Sequence, residues 1–273
     1  MTSQDSRAAS ITAAVDRLSQ AQATGVPCAP VRDLIGTDDL AAAYAVQQGL
    51  VQARIAGGAR VVGRKIGATS EAVQTQLGVD QPDFGYLLDD MDVSPRERRD
   101  GPISMRTLLQ PRVEAEVAFV LARDIDPAEG AEITLDLVRD AVEVALPALE
   151  IVDSRIADWR IGFTDTVADN ASSGLFVVGA DGHPLDELEP RDVVMSLTIN
   201  GEERSSGTGL ACLGDPLEAL RWLAVQAHRF GDPLRAGHLI LSGALGPFVP
   251  FAPGDRVVAT ISGFAPLSVT FTE

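Results

Sequence analysis

Apolar residues recur every three or four positions through residues 7–23 and again through 38–55, the spacing that lines one face of a helix. For the second stretch, Thr37 or Asp38 offers a side-chain acceptor for the first turn, and Gly57 with Gly58 offers a stop. After Val61 the period shortens to two, in β-branched runs broken by glycine: VVGRKIG, RVEAEVAFVL, LFVVG, VMSLTING, HLILSG and DRVVATISGF. Two further helices are predicted inside this body. One covers 134–146, opened by Thr134 and closed at Pro147; the other starts at Asp215-Pro216 and carries LEALRWLAVQAHRF. The pattern predicts an α+β chain, with a helical segment over residues 1–60 and a β-rich body over 61–273. PRERRDG, residues 95–101, reads as a charged loop, and no internal repeat or low-complexity stretch appears.

Composition narrows the setting. A chain of 273 residues with 45% hydrophobic content can bury a large core without staples. Its two cysteines, Cys28 and Cys212, form no C-x-x-C pair, which argues against a disulfide framework or a thiolate metal site. The first twenty residues lack a basic segment followed by an apolar core, and no run approaches the roughly 20 apolar residues that cross a bilayer. A soluble protein of a reducing cytoplasm is expected. A formal charge of −17 excludes nucleic acid and anionic membranes as partners and favours cations as guests. Three scattered histidines leave carboxylates as the abundant reagent.

The carboxylates fall into a pattern. Alternation in RVEAEVAFVL puts Glu114 and Glu116 on one strand face, about 7 Å apart. Among 39 acidic residues such a pair also fits a solvated face. PALEIVD adds Glu150, a lone acid in an apolar frame, for which an ion pair with Arg155 is the competing role. Three carboxylates without histidine or cysteine suit a hard cation such as Mg²⁺ or Mn²⁺. In VVGRKIGAT, Lys65 shares a face with Gly63 and Gly67, which would leave open space above its ammonium, while Arg64 points the other way. Both cations are candidates to meet a substrate anion. VDQPDFG holds Asp80 and Asp83, either of which suits a turn cap. VADNASSG precedes an apolar strand, and its backbone N–H groups with Ser172 or Ser173 suit a carboxylate. No G-x-S-x-G, P-loop, H-E-x-x-H or strand-linked G-x-G-x-x-G occurs.

GRKIGATS, LGVDQPDFGYL, LQPRVEAEVAFVL, LPALEIVDSRIADW, DTVADNASSG, CLGDPLEALRWLA and LSGALGPFVPFAPGDRV occur in the order and spacing of the 2-keto-4-pentenoate hydratases, within the fumarylacetoacetate-hydrolase-like group. The resemblance runs from about residue 38 to the end. It implies a mixed β-sandwich roll and a Mg²⁺ or Mn²⁺ ion held by Glu114, Glu116 and Glu150. It places Lys65 and Asp83 as catalytic residues and Ser172, with a one-residue register ambiguity to Ser173, on the substrate carboxylate; Arg64 is kept beside Ser172 as a substrate contact. The implied reaction, in aromatic meta-cleavage catabolism, adds water to 2-hydroxypenta-2,4-dienoate to give 4-hydroxy-2-oxopentanoate. Within the same fold the alternatives are a longer-chain dienoate or 2-oxohept-4-ene-1,7-dioate hydratase and a 4-oxalocrotonate decarboxylase. A C–C bond hydrolase would want an acid and histidine pair that is missing near these motifs, and a silent partner of a decarboxylase would not need the whole set. A homo-oligomer, and association with a decarboxylase or a downstream aldolase, are also implied.

Overall fold

The computed structural model describes residues 3–70, 73–75, 79, 81–94 and 101–273. Asp80 and most of the PRERRDG loop lie outside the described residues. The chain opens with α1 (Ser3–Thr24), the short α2 (Arg32–Ile35) and α3 (Leu40–Ala56). Asp39, not Thr37 or Asp38, caps α3, accepting the Ala42 N–H at 2.9 Å, because the helix starts two residues later than the apolar spacing alone implies. These helices share an apolar core with a later segment: Leu18, Val31, Ala43 and Val46 pack with Ile156, Phe163 and Val167.

The strands form two sheets. The larger runs in the order β2 (Asp83–Leu88), β1 (Val61–Gly67), β9 (Leu239–Ala244), β4 (Arg112–Leu121), β5 (Val142–Val152) and β6 (Ser173–Val178), with β10 (Val249–Pro250) added beside β4. The smaller runs β3 (Ile103–Ser104), β12 (Leu267–Thr272), β11 (Arg256–Ile261), β7 (Val194–Ile199) and β8 (Glu202–Thr208). Both are mixed, with parallel pairs β1–β9 and β3–β12. β12 alternates buried and exposed, as a strand with one face to water does, whereas β4 is buried on both faces for most of its length. Helices α4 (Leu135–Ala141), α5 (Phe163–Ala168) and α6 (Pro216–Arg229) complete the fold, α6 burying Leu217, Leu220, Leu223 and Ala227 on one stripe. This is a mixed β-roll with an N-terminal helical region.

The helix predicted over 134–146 ends at Ala141, and the next residues enter β5. Val142, Val144 and Leu146 alternate with Glu143 and Ala145, and pairing with β4 from Leu121 back to Ala118 decides the conflict in favour of strand. Pro147 is accommodated within β5 opposite Val117, and β6 pairs β5 only as far as Ala148. Extending β5 in this way sets its register, and that register places Glu150 directly opposite Glu114.

Candidate active site

Glu114 and Glu116 project from one face of β4, and Glu150 arrives from the neighbouring strand. A carboxylate oxygen of each lies within 4.8 Å of one from the other two, and all three side chains are buried. Arg155 does not pair with Glu150; it binds Asp169 at 2.6 Å instead. The partner of Glu150 is Lys65, whose Nζ lies 3.0 Å from Oε1. Glu116 Oε2 accepts the Gly243 N–H at 2.8 Å, while Glu116 Oε1 and Glu150 Oε2 meet no hydrogen-bond donor among the described residues. Gly243 delivers that N–H from a left-handed backbone at φ +111, and a Cβ there would lie 2.5 Å from the Thr69 side chain.

The glycines flanking Lys65 do not leave open space. A Cβ at Gly63 would collide with the Leu239 carbonyl of β9 at 1.8 Å, and one at Gly67 would lie 2.2 Å from Asp83 Oδ1. Gly67 pairs with Asp83 across β1 and β2, so the missing side chain admits that carboxylate beside the lysine. Arg64 is corrected. Strand alternation turns it to the opposite face, where its guanidinium stacks on Tyr86 at 3.8 Å and pairs with Asp232, away from the glutamates.

The D-N-A-S segment forms a left-handed turn, with Asn170, Ala171 and Ser172 at φ +54, +53 and +53. Such a run is costly for L-residues and is held from two sides. Asn170 exchanges two hydrogen bonds with the Tyr86 backbone, and the Arg155 guanidinium donates to Asp169 O and Ser173 O, each at 2.8 Å. The turn aims Ser172 into the site, its hydroxyl 3.3 Å from that of Thr166, which in turn hydrogen-bonds Asp83. Ser173 faces the other way and donates to Asn170 O at 2.7 Å. Thr166 was not found from sequence; only the i, i+6 relation across α5 and the turn connects it to Ser172.

Lys65, Asp83, Glu114, Thr166 and Ser172 line a cavity of about 350 Å³ that also touches Thr69, Ser70, Arg112, Trp159 and Phe248, with Glu116 and Glu150 clustered with Glu114 but not on its wall. A larger cavity of about 540 Å³ lies between α1, α3 and β6, with none of the three glutamates on its wall. Size alone would favour the second, yet the converging carboxylates and Lys65 mark the first as the chemical site.

Electrostatics explain what the smaller cavity is built to hold. Burial, then the charge of Glu150, raises the Glu114 carboxyl to about 8, against the pull of Lys65. Burial, Glu150 and Glu114 together push Glu116 well above the ordinary carboxylate range. Burial also raises Asp83, opposed by Lys65 and the Thr166 hydrogen bond. For Lys65, burial favours the neutral amine, but Glu150, Asp83, Glu114 and Glu116 outweigh it and raise its pKa. Four buried carboxyls around one ammonium are short of positive charge, and among the described residues Glu116 Oε1 and Glu150 Oε2 meet no donor while Glu150 Oε1 has only Lys65. An all-oxygen donor set with that deficit fits a hard divalent cation such as Mg²⁺ or Mn²⁺.

A cluster of three buried carboxylates beside a small cavity, in a mixed β-roll, is the arrangement of a protein that holds a divalent cation. The chain belongs to the fumarylacetoacetate (FAA) hydrolase C-terminal family, whose profile matches residues 68–272. Its sequence groups it with the 2-keto-4-pentenoate hydratases, as the motifs imply. It is 49% identical over 98% of its length to the "TodF product hydratase" of Pseudomonas putida, covering 97% of that protein. It is 50% identical over 94% of its length to a 2-keto-4-pentenoate hydratase of Paraburkholderia xenovorans, covering 93% of it. Among solved structures, the 4-oxalocrotonate decarboxylase of Pseudomonas putida G7, complexed with magnesium and adipate, superposes with a TM-score of 0.88 at 30% identity, over 99% of this chain and 98% of that one.

Proposed function

We propose that this protein is a hydro-lyase that adds water to 2-hydroxypenta-2,4-dienoate, the enol of 2-oxopent-4-enoate, and yields 4-hydroxy-2-oxopentanoate. The observation that carries the reading is the convergence of Glu114, Glu116 and Glu150 on donor-poor buried oxygens, beside Lys65 and Asp83, in a chain half identical to hydratases over nearly its whole length. The three glutamates would hold Mg²⁺ or Mn²⁺, which, when bound, supplies positive charge to the substrate's 2-oxo oxygen.

The chain's own groups do the rest. Lys65, fixed by Glu150, neutralises and orients the acid. Ser172 offers its hydroxyl to the carboxylate from the opposite wall. Asp83 is the general acid and base: it is buried, lines the cavity and is tied to Thr166. The enol O–H gives up its proton as C5 receives one, leaving a 2-oxo-3-enoate. Water then adds its oxygen to C4 and the remaining proton goes to C3, so the product differs from the substrate by one water.

The test follows the near-ultraviolet absorbance of freshly generated dienol with Mg²⁺, Mn²⁺ or EDTA and weighs the product. Metal-dependent loss with gain of one water is expected. An inert dienol would overturn the C5 substrate, and CO₂ release from 4-oxalocrotonate in its place would replace the hydratase with a decarboxylase. For assembly, we propose a homo-oligomer in which the exposed side of α1 contributes contacts, together with association with a decarboxylase or a downstream aldolase. Sedimentation of the pure protein, alone and with each enzyme, tests both.

A further inference from the structure

The cations lining the carboxylate cavity are Lys65 and Arg112, and Lys65 is committed to Glu150. Arg112 opens β4, two residues before Glu114, so strand alternation sets it on the same face as Glu114 and Glu116. Its guanidinium rests over two aromatic rings, 4.5 Å from the Trp159 centroid and 4.9 Å from that of Phe248, which stack on each other at 5.7 Å. Rings offer no acceptor oxygen to its N–H groups. No hydrogen bond or ion pair forms from this side chain to any described residue, and Asp158, an acid on the same cavity wall, lies 3.9 Å from Arg160. The other buried or half-buried arginines are answered, among them Arg32 by Asp165, Arg64 by Asp232, Arg139 by Glu189 and Arg155 by Asp169, whereas those without a partner among the described residues, such as Arg191 and Arg204, are exposed.

The aromatic shelf is itself held in place. Trp159 Nε1 donates to Gln110 O at 3.0 Å, and the Gln110 side chain donates to Ser154 O and Ile156 O and accepts the Asp158 N–H. Asp158 and Trp159 sit at φ +60 and +54, a backbone that ordinary residues adopt only when the surroundings impose it. Gln110 and Arg112 therefore belong to one short segment that sets a half-buried guanidinium on the cavity wall with its donors unspent.

We propose that Arg112 is the specificity-determining cation of this pocket, taking the carboxylate of an incoming 2-oxo acid anion on the wall of the cavity. A net charge of −17 repels such an anion, and a guanidinium fixed on that wall reverses the field where the acid must bind. Planar donors match a carboxylate better than a lysine ammonium does. The inference rests on this cavity being the substrate site, and it deepens that reading by adding to Lys65 and the Ser172 hydroxyl a guanidinium that captures the charged end of the acid.

The test compares wild type, Arg112→Met and Arg112→Lys, each loaded with Mg²⁺, by calorimetric titration with 2-oxopentanoate, a saturated acid that cannot be hydrated, and with 2-pentanone, its neutral counterpart. Arg112→Met is expected to weaken 2-oxopentanoate by about tenfold or more and to leave the weak binding of 2-pentanone unchanged. Arg112→Lys should fall between. With the dienoate, KM should rise in the same order while kcat stays within about threefold, since the loss is in binding common to substrate and transition state. Equal affinity of wild type and Arg112→Met for 2-oxopentanoate, or no binding of that acid by wild type, overturns the proposal. Should Arg112→Met not fold, Arg112→Lys decides: a loss of about threefold or more supports it, and unchanged affinity overturns it. Wild type that binds 2-oxopentanoate in this charge-dependent way but leaves the dienoate unhydrated removes the hydratase reading alone.

Discussion

Glu116 carries the clearest single-residue test of what the carboxylates are for. It is fully buried, its Oε2 is satisfied by the Gly243 N–H, and its Oε1 meets no donor among the described residues. Glu116→Gln keeps an acceptor for Gly243 and removes one charge from a crowded site. If the cluster exists to hold a cation, the metal-free variant should melt higher than metal-free wild type at alkaline pH, where the buried carboxyls give up their protons, by about 1 kcal/mol or roughly 2–4 °C, because repulsion is relieved. Its Mg²⁺ affinity should fall at least about 100-fold. Calorimetry with Mg²⁺ reads this directly, and a variant that binds Mg²⁺ as tightly as wild type would remove Glu116 from the cradle. Asp83→Asn provides the contrast. It should bind Mg²⁺ normally and, on the proposed proton-transfer role of Asp83, lose about 10²- to 10⁴-fold in kcat. An Asp83→Asn enzyme with near-native kcat would hand the proton to another residue.

At the scale of elements, the turn Asn170–Ser172 shows local chemistry overruled by its surroundings. Three successive L-residues at positive φ are held by Arg155, Asn170 and the close approach of Gly85, where a Cβ would lie 2.5 Å from Asn170 O. Ala171→Gly should therefore stabilise the protein by about 0.5–1 kcal/mol, the relief of left-handed strain exceeding the added chain entropy, and Ala171→Val should destabilise it by more than about 1 kcal/mol. Urea unfolding measures both, and a destabilising Ala171→Gly would show that the turn is not strained. Much else at this scale was legible in the sequence. Period-two alternation in RVEAEVAFVL put Glu114 and Glu116 on one face, and Asp215-Pro216 marked the start of α6. The same alternation already places Arg112 on that face, a step the motif reading passed over. What could not be read was tertiary: Val142 to Leu146 suits helix or strand, and only pairing with β4 decides. The glycines beside Lys65 suggested open space, but which backbone or carboxylate fills a missing side chain depends on partners far away in sequence.

For the whole molecule, folding, protons and metal are linked through this one site. In the metal-free fold Glu114 titrates at about 8 instead of its ordinary 4.5, and Glu116 is raised as well, both chiefly by burial. A carboxyl whose folded pKa lies above its unfolded one holds a proton in the fold that the unfolded chain has released, so its contribution to stability is complete below the ordinary value and is lost as pH rises through the raised one. The metal-free protein should accordingly lose stability between about pH 4.5 and 8, by at least about 1 kcal/mol, or roughly 2–4 °C in a chain of this size. With saturating Mg²⁺ the cation stands where the protons stood, the carboxylates are answered at any pH in that window, and the decline should vanish. Thermal melts from pH 5 to 9, in EDTA and in Mg²⁺, should thus diverge as pH rises, and titration of Mg²⁺ at pH 6.5 in buffers of different ionisation enthalpy should register proton release. Parallel melting curves would mean that the buried carboxylates are neutralised from within the fold, by Lys65 and hydrogen bonds alone, and that the deficit of positive charge read from the geometry is not felt by the protein.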